Sequence, residues 1–255
     1  MEFACDLSIA SAYKSPLQRA RVISEAWFAQ NAYCLACEAE QLLRTPTNTV
    51  ATDFLCDSCG HRYELKTFGR RPRRSLVDGT YASLMERVRS GSAPTLCLLE
   101  RSEGWLIRSL TAIHSSFLTP SVIEARNPLR QSARRAGWIG CNIRLDRMPP
   151  DGEIEVIAAG APCPRSEVRR KFQRFLPLAQ LPPNQRSWTA LTLKAIRKLR
   201  KDRFSLQDLY LYESELSAVY PGNHNVRAKS RQQVQVLRDL EVLSFEGQGK
   251  YRLLV

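Results

Sequence analysis

No apolar run in this sequence is long enough to cross a bilayer, and the opening MEFACDLSIASAY has no basic segment followed by an apolar core. The first absence argues against a membrane-spanning helix and the second against a secretory leader, so the chain is expected to be soluble and cytoplasmic. Acidic residues are scarce beside basic ones: 25 Asp and Glu against 38 Lys and Arg leave a formal charge of +13. That excess favours a polyanionic partner such as nucleic acid, with an anionic membrane surface or plain solubility as alternatives. There is no internal repeat. With 255 residues and 44% hydrophobic content the chain is no disordered tail, and it has room for one large globular domain plus a smaller one.

Eight cysteines are present, and four of them fall as two Cys-x-x-Cys pairs, Cys34/Cys37 and, 18 residues on, Cys56/Cys59. This spacing fits a four-thiolate zinc site, in which each pair wraps one side of a tetrahedral ion. With four protein ligands Zn²⁺ keeps no open position, so the site is expected to be structural. Unligated core cysteines or a redox disulfide are the alternatives. Cys5, Cys97, Cys141 and Cys163 are isolated and read as small apolar residues.

The pattern along the chain is mixed. LQRARVISEAWFAQ (17–30) has helical spacing of Ala20, Ile23, Trp27 and Phe28. Residues 49–67 alternate like two strands around a turn at Asp57-Ser58-Cys59-Gly60. VDGTYASLMERVRSG predicts a helix beginning near Asp78 or Thr80 and ending at Gly91, and TLCLLE and GWLIRSL predict strands. A mixed sheet flanked by helices, an α/β (α+β) arrangement, is the expected outcome. Residues 145–165 are rich in Pro and Gly, and FLPLAQLPPNQRS (175–187) reads as a linker, which places a domain boundary near residue 183. Beyond it come helical segments at 188–201, 205–219 and 225–240 and a hairpin around Gly247-Gln248-Gly249, the order of a winged helix-turn-helix domain over 184–255.

Within RYELK, strand alternation sends Tyr63 and Leu65 to the core and Glu64 and Lys66 to the other face. Pairing through the cysteine turn would bring the Asp53 carboxylate towards Glu64. Two carboxylates beside a lysine suit phosphodiester hydrolysis: Asp53, Glu64 and the main-chain carbonyl of Leu65 would hold Mg²⁺, with Lys66 orienting water or stabilising developing charge. Taken alone, the pattern is more readily that of a solvated strand face; the basic loop FGRRPRRS and the winged-helix end favour chemistry. On the 225–240 segment Val226, Val234, Leu237 and Leu240 share one face, while Arg227, Ala228, Arg231, Gln232, Gln235 and Arg238 occupy the other. Such a face suits base reading, although an ordinary solvated surface looks the same.

Taken with ARRAGWIGCNI (133–143), RQQVQVLRD and the GQGKYR hairpin, these features resemble the DpnI-like methyl-directed restriction endonucleases along nearly the whole chain. YKSPLQRARVISEAW, CLAC, DGTYASLMERV and TPSVI carry the same resemblance. It implies a PD-(D/E)XK nuclease core with an embedded zinc site over 1–183, followed by the winged-helix domain. It also implies a monomeric type II enzyme that cleaves double-stranded DNA at GATC carrying N6-methyladenine and leaves 5′-phosphate ends. Asp53, Glu64 and Lys66 then take the catalytic roles and Cys34, Cys37, Cys56 and Cys59 those of the zinc ligands. Trp138, with Arg134 and Arg135 beside it, is the candidate ring for the methyl group; a core tryptophan is its alternative. A different class, a zinc-containing winged-helix regulator that binds DNA without cutting it, has no need of converging Asp53 and Glu64.

Overall fold

In a computed structural model, which describes residues 3–46, 49 and 52–254, the elements follow one another as α1 (Pro16–Asn31), β1 (Leu43–Arg44), β2 (Phe54–Leu55), β3 (Arg62–Phe68), β4 (Ser75–Thr80), α2 (Tyr81–Ser90), β5 (Thr95–Arg101), β6 (Ile107–Ile113), β7 (Ile123–Ala125), β8 (Gly140–Arg144), β9 (Glu153–Ala158), β10 (Ala161–Pro162), α3 (Arg165–Gln173), α4 (Pro183–Lys198), β11 (Arg203–Ser205), α5 (Leu206–Tyr210), α6 (Glu213–Val219), α7 (Val226–Asp239), β12 (Leu243–Gly247) and β13 (Lys250–Leu253). Among the described residues no helix is long and apolar enough to cross a membrane. The chain forms two compact units that interleave in sequence. The first comprises Met1–Pro72, Ala93–Ser115 and Glu153–Leu176; the second comprises Arg73–Ser92, Ser116–Gly152 and Pro177–Val255.

The first unit is built on a seven-stranded sheet of order β1-β2-β3-β5-β6-β9-β10. β3 and β5 run parallel, and the other neighbours run antiparallel. Residue alternation makes one face of β3 apolar: Tyr63 is buried and Leu65 packs against the same core as Cys97, Leu99, Leu110 and Ala112 from the adjacent strands. α1 covers that core with Trp27 and Phe28, and α3 with Val168 and Phe172. Residues 62–68 of the predicted strand pair are strand, but the arm before the turn is short, with β2 only Phe54–Leu55. Val50 and Ala51 of that predicted arm lie outside the described residues. β9 arises within the stretch read as Pro- and Gly-rich, because EIEVIA buries Ile154, Val156 and Ile157 despite its flanks.

In the second unit α2 starts at Tyr81, with Thr80 as its N-cap, and stops at Gly91. Gly91 sits at φ +72°, a left-handed conformation that costs glycine little, and its N–H closes on the last turn. A small sheet of order β4-β8-β7 accompanies it. The expected linker is instead structured: Leu176–Gln180 forms a 3₁₀ turn with Leu178 buried, and α4 begins at Pro183, not near 188. The helix accepts this proline because the first helical position has no intrahelical partner for an N–H. The predicted 205–219 helix is split into α5 and α6, the first opened by a Ser205/Asp208 capping box. α4, α6 and α7 share a core in which Trp188 stacks on Tyr220 with ring centroids 4.5 Å apart. The hairpin β12–β13 gains β11 as a third strand, in the order β11-β13-β12.

His114, at the end of β6, is fully buried and lies 3.0 Å through Nε2 from the Phe172 carbonyl, which makes Nε2 the protonated nitrogen. Burial, with the nearby His61 as a second cause and the Phe172 carbonyl opposing, holds its pKa down to about 3. The unfolded chain takes up this proton near pH 6.5, the folded chain only near 3. Stability is therefore full above about pH 6.5 and is lost progressively as the pH falls towards 3, by up to about 1.4 kcal/mol per pH unit. Urea midpoints measured from pH 7.5 to 4.5 are expected to fall with this slope, and His114→Gln, which keeps an N–H for the carbonyl, should flatten the curve.

Candidate functional site

The turn after β2 is shaped by Cys56-Asp57-Ser58-Cys59-Gly60. The Gly60 N–H donates to the Cys56 carbonyl at 2.8 Å, and Gly60 takes φ +72°. Cys34 and Cys37 follow the end of α1, and the four Sγ atoms lie within 4.8 Å of one another. Cys34–Cys59 and Cys37–Cys56 are separated by 3.6 Å. Tetrahedral Zn²⁺ with Zn–S bonds of about 2.3 Å requires sulfur–sulfur separations of about 3.8 Å, and a disulfide requires about 2.0 Å. The arrangement is that of a metal site, and all eight cysteines are free thiols.

Electrostatics point the same way. Burial raises the Cys34 and Cys59 thiols above their ordinary value. Cys56, despite burial, is lowered to about 7 by the Cys59 N–H and the neighbouring sulfurs. Main-chain N–H groups of Ala36 and Cys37 point at Cys34, and that of His61 at Cys59. Four thiolates this close repel one another, and a divalent cation at their centre removes the conflict. Arg169 of α3 braces the same loop: its guanidinium donates to the carbonyls of Cys34 and Ala39, both at 3.1 Å, and to Glu38 and Glu40.

Tyr63 joins this cluster to β3. Its hydroxyl accepts the Leu35 N–H at 2.9 Å and lies 3.3 Å from Cys34 Sγ, so the phenolic proton is left to the sulfur. The Tyr63 carbonyl accepts the Asp53 N–H at 2.9 Å, and the Leu65 N–H donates to Asp53 Oδ2 at 2.8 Å. Phe54 pairs with Tyr63, and both side chains enter the core. Continuing that register by one step sets Asp53 opposite Glu64, and residues facing each other across strands project to the same side. The Leu65 carbonyl leaves the strand on the edge its N–H occupies, that of Asp53. Lys66 Nζ lies 2.6 Å from Glu64 Oε1, with side chains only 17% and 14% exposed. This face is therefore not a freely solvated one. Burial raises the Asp53 pKa; the Leu65 N–H, Arg21 and Lys66 oppose it, and Glu25 reinforces it. A carboxylate held short of compensating charge in this way suits a hard cation with oxygen ligands.

Glu25, a third carboxylate near Asp53, has no signal in the sequence beyond its place on an amphipathic helix. It is buried on α1 and paired with Arg21 and with Arg44 of β1.

In the second unit, Arg227, Ala228, Arg231, Gln232 and Gln235 all lie on the exposed face of α7, while Val226, Ser230, Gln233, Val234 and Leu237 are buried. Gln233 is a core residue, bonded to the Thr189 hydroxyl at 2.8 Å. Arg227 is held by Glu213 at 2.7 Å. Ala228 and Gln232 line an open cleft of about 550 Å³ together with Asn223, His224, Asn225 and Lys229, none of which the sequence pattern singled out. Trp138 is half-buried. Its Nε1 donates to Thr80 Oγ1 at 3.1 Å, and the Arg135 guanidinium stands 4.9 Å from its ring centroid. A Cβ on Gly140 would come within 2.8 Å of the ring, so only glycine lets the indole lie there. Arg134 is exposed.

A four-cysteine cluster suited to a structural metal such as zinc and a C-terminal helical domain in one basic chain suggest the class, a DNA-binding protein of mixed α/β architecture with a structural metal site. Family models then specify it. The DpnI, Dam-replacing, family matches residues 1–180, and the Dam-replacing helix-turn-helix domain matches residues 184–253. The chain belongs to the DpnI (Dam-replacing) family, and membership implies a methyl-directed restriction endonuclease.

Proposed function

We propose that this protein is a Mg²⁺-dependent type II endonuclease with a PD-(D/E)XK core, cleaving double-stranded DNA at sites that carry N6-methyladenine, G-methylA-T-C foremost, to leave 5′-phosphate ends. The observation that carries the reading is the β2–β3 register, which if continued by one residue faces Asp53 with Glu64, together with the hydrogen bond from the Leu65 N–H to the Asp53 carboxylate. Asp53, Glu64 and the Leu65 carbonyl would hold the ion. When bound, Mg²⁺ supplies charge neutralisation at the scissile phosphate and acidifies a water. Lys66, already aimed at Glu64, orients the attacking water or meets negative charge as it develops on the phosphate. The four cysteines carry Zn²⁺ as a structural ion.

Residues 1–183 would form the nuclease domain and 184–255 a winged-helix reader, with the protein working as a monomer. Arg227, Ala228, Arg231, Gln232 and Gln235 are the proposed base and phosphate contacts of α7, with β12–β13 as the wing. Arg134, Arg135 and Trp138 form a second reading surface. There Arg135 covers the indole until a phosphate draws it away, leaving the ring to pack on the N6-methyl group.

Digestion of one plasmid prepared from adenine-methylating and non-methylating hosts tests the proposal. With Mg²⁺ present the methylated preparation is expected to be cut and the other left intact. Cutting of both would refute the methyl preference, and binding without any cutting would leave a DNA-binding regulator.

A further inference from the structure

Glu25 is 5% exposed, and the core around it supplies no reason for a carboxylate. Its partners are two guanidiniums. Arg21 donates through Nε at 2.5 Å from one turn earlier on α1, and Arg44 donates through Nη2 from β1. Both arginine side chains are about half exposed, at 53% and 49%. Their remaining N–H groups have no partner among the described residues. One arginine would suffice to tie α1 to β1; two leave donor edges facing solvent.

The backbone that carries Arg44 runs beside Asp53. Arg44 is the register partner of Phe54, and the Thr45 N–H donates to the Asp53 carbonyl at 2.9 Å. Arg21 and Asp53 each stabilise the other's charged form. A guanidinium fork matches two oxygens of a phosphodiester, and a fork already fixed by a buried carboxylate loses less freedom on binding.

We propose that Arg21 and Arg44, aimed by Glu25, hold a DNA backbone phosphate adjoining the cleaved bond, with Glu25 as the positioning residue. This rests on Asp53 belonging to the catalytic site. The salt dependence of binding to a methylated duplex, measured with Ca²⁺ in place of Mg²⁺ so that cutting does not intervene, reads the phosphate contact directly. The Arg21→Ala/Arg44→Ala double variant is expected to lower the slope of log K against log salt by about 0.9, the value of one phosphate. An unchanged slope overturns the proposal.

Glu25→Gln keeps both cations and should keep the slope while losing roughly tenfold in kcat with Mg²⁺, the signature of lost aim. If that variant does not fold by circular dichroism, Arg21→Lys/Arg44→Lys makes the same test, since it retains charge without the fork. Full activity in whichever of these folds overturns the positioning role. Inorganic phosphate at matched ionic strength should compete no better than chloride; specific competition would reassign the site to free phosphate and overturn the DNA assignment. Because the slope is read without cleavage, a chain that binds but never cuts would sink the nuclease reading while this contact is still measured.

Discussion

Asp53→Ala and Glu64→Ala should each abolish cleavage of methylated plasmid, by roughly 10³-fold or more, while duplex binding stays within a few-fold of the parent protein. The reason lies in the register. Asp53 presents one carboxylate oxygen to the Leu65 N–H, and Glu64 lies against Lys66, so alanine at either position would remove one of the proposed oxygen ligands. Binding survives because neither carboxylate attracts DNA; deleting one removes a repulsion from the phosphate. Gel-shift affinity measured beside single-turnover cleavage separates the two effects. Cutting by either variant at near-parental rates would remove Asp53 and Glu64 from the chemistry.

The second large effect concerns the thiolates. Metal analysis of purified protein is expected to return one zinc per chain, and prolonged chelation should unfold the region around α1, β2 and β3 and end cleavage, with zinc restoring both. Cys56→Ser should behave like the chelated protein. Free thiols raised by burial cannot hold the loop, and the Cys34 sulfur contacts Tyr63, whose carbonyl in turn carries Asp53. Loss of cleavage therefore comes through displacement of Asp53, without the metal taking part in the reaction. Protein free of zinc yet fully folded and active would overturn this account.

Much of this was legible because period and spacing survive without context. The spacing of two Cys-x-x-Cys pairs points to one metal without any tertiary context, and strand alternation in RYELK sends Tyr63 and Leu65 to the same face. The exposed side of α7 followed equally from its apolar face. Glu25 was hidden because a carboxylate on a helix ordinarily means solvent, and its partner Arg44 comes from a strand of two residues that no periodicity reveals. The start of α4 was misplaced because Pro182 and Pro183 were read as breakers where one of them opens a helix. β9 was masked by the prolines and glycines around it, and β11 is too short for alternation to show. The covering of Trp138 by Arg135 depends on the loop's three-dimensional path, which composition does not carry.

The interleaving of the two compact units has a consequence for how such a protein is made and inherited. The chain passes from one unit to the other at 72/73, 92/93, 115/116, 152/153 and 176/177. During synthesis the first unit cannot close its sheet until β9 and β10 have left the ribosome, whereas the sheet β4-β8-β7 has all its strands by Arg144. Closure of the first unit is therefore a late step, reached only once the chain has been made as far as about residue 176. For the same reason neither unit can be gained or shed by a single crossover in the gene. The two compact units are bound to travel as one heritable piece.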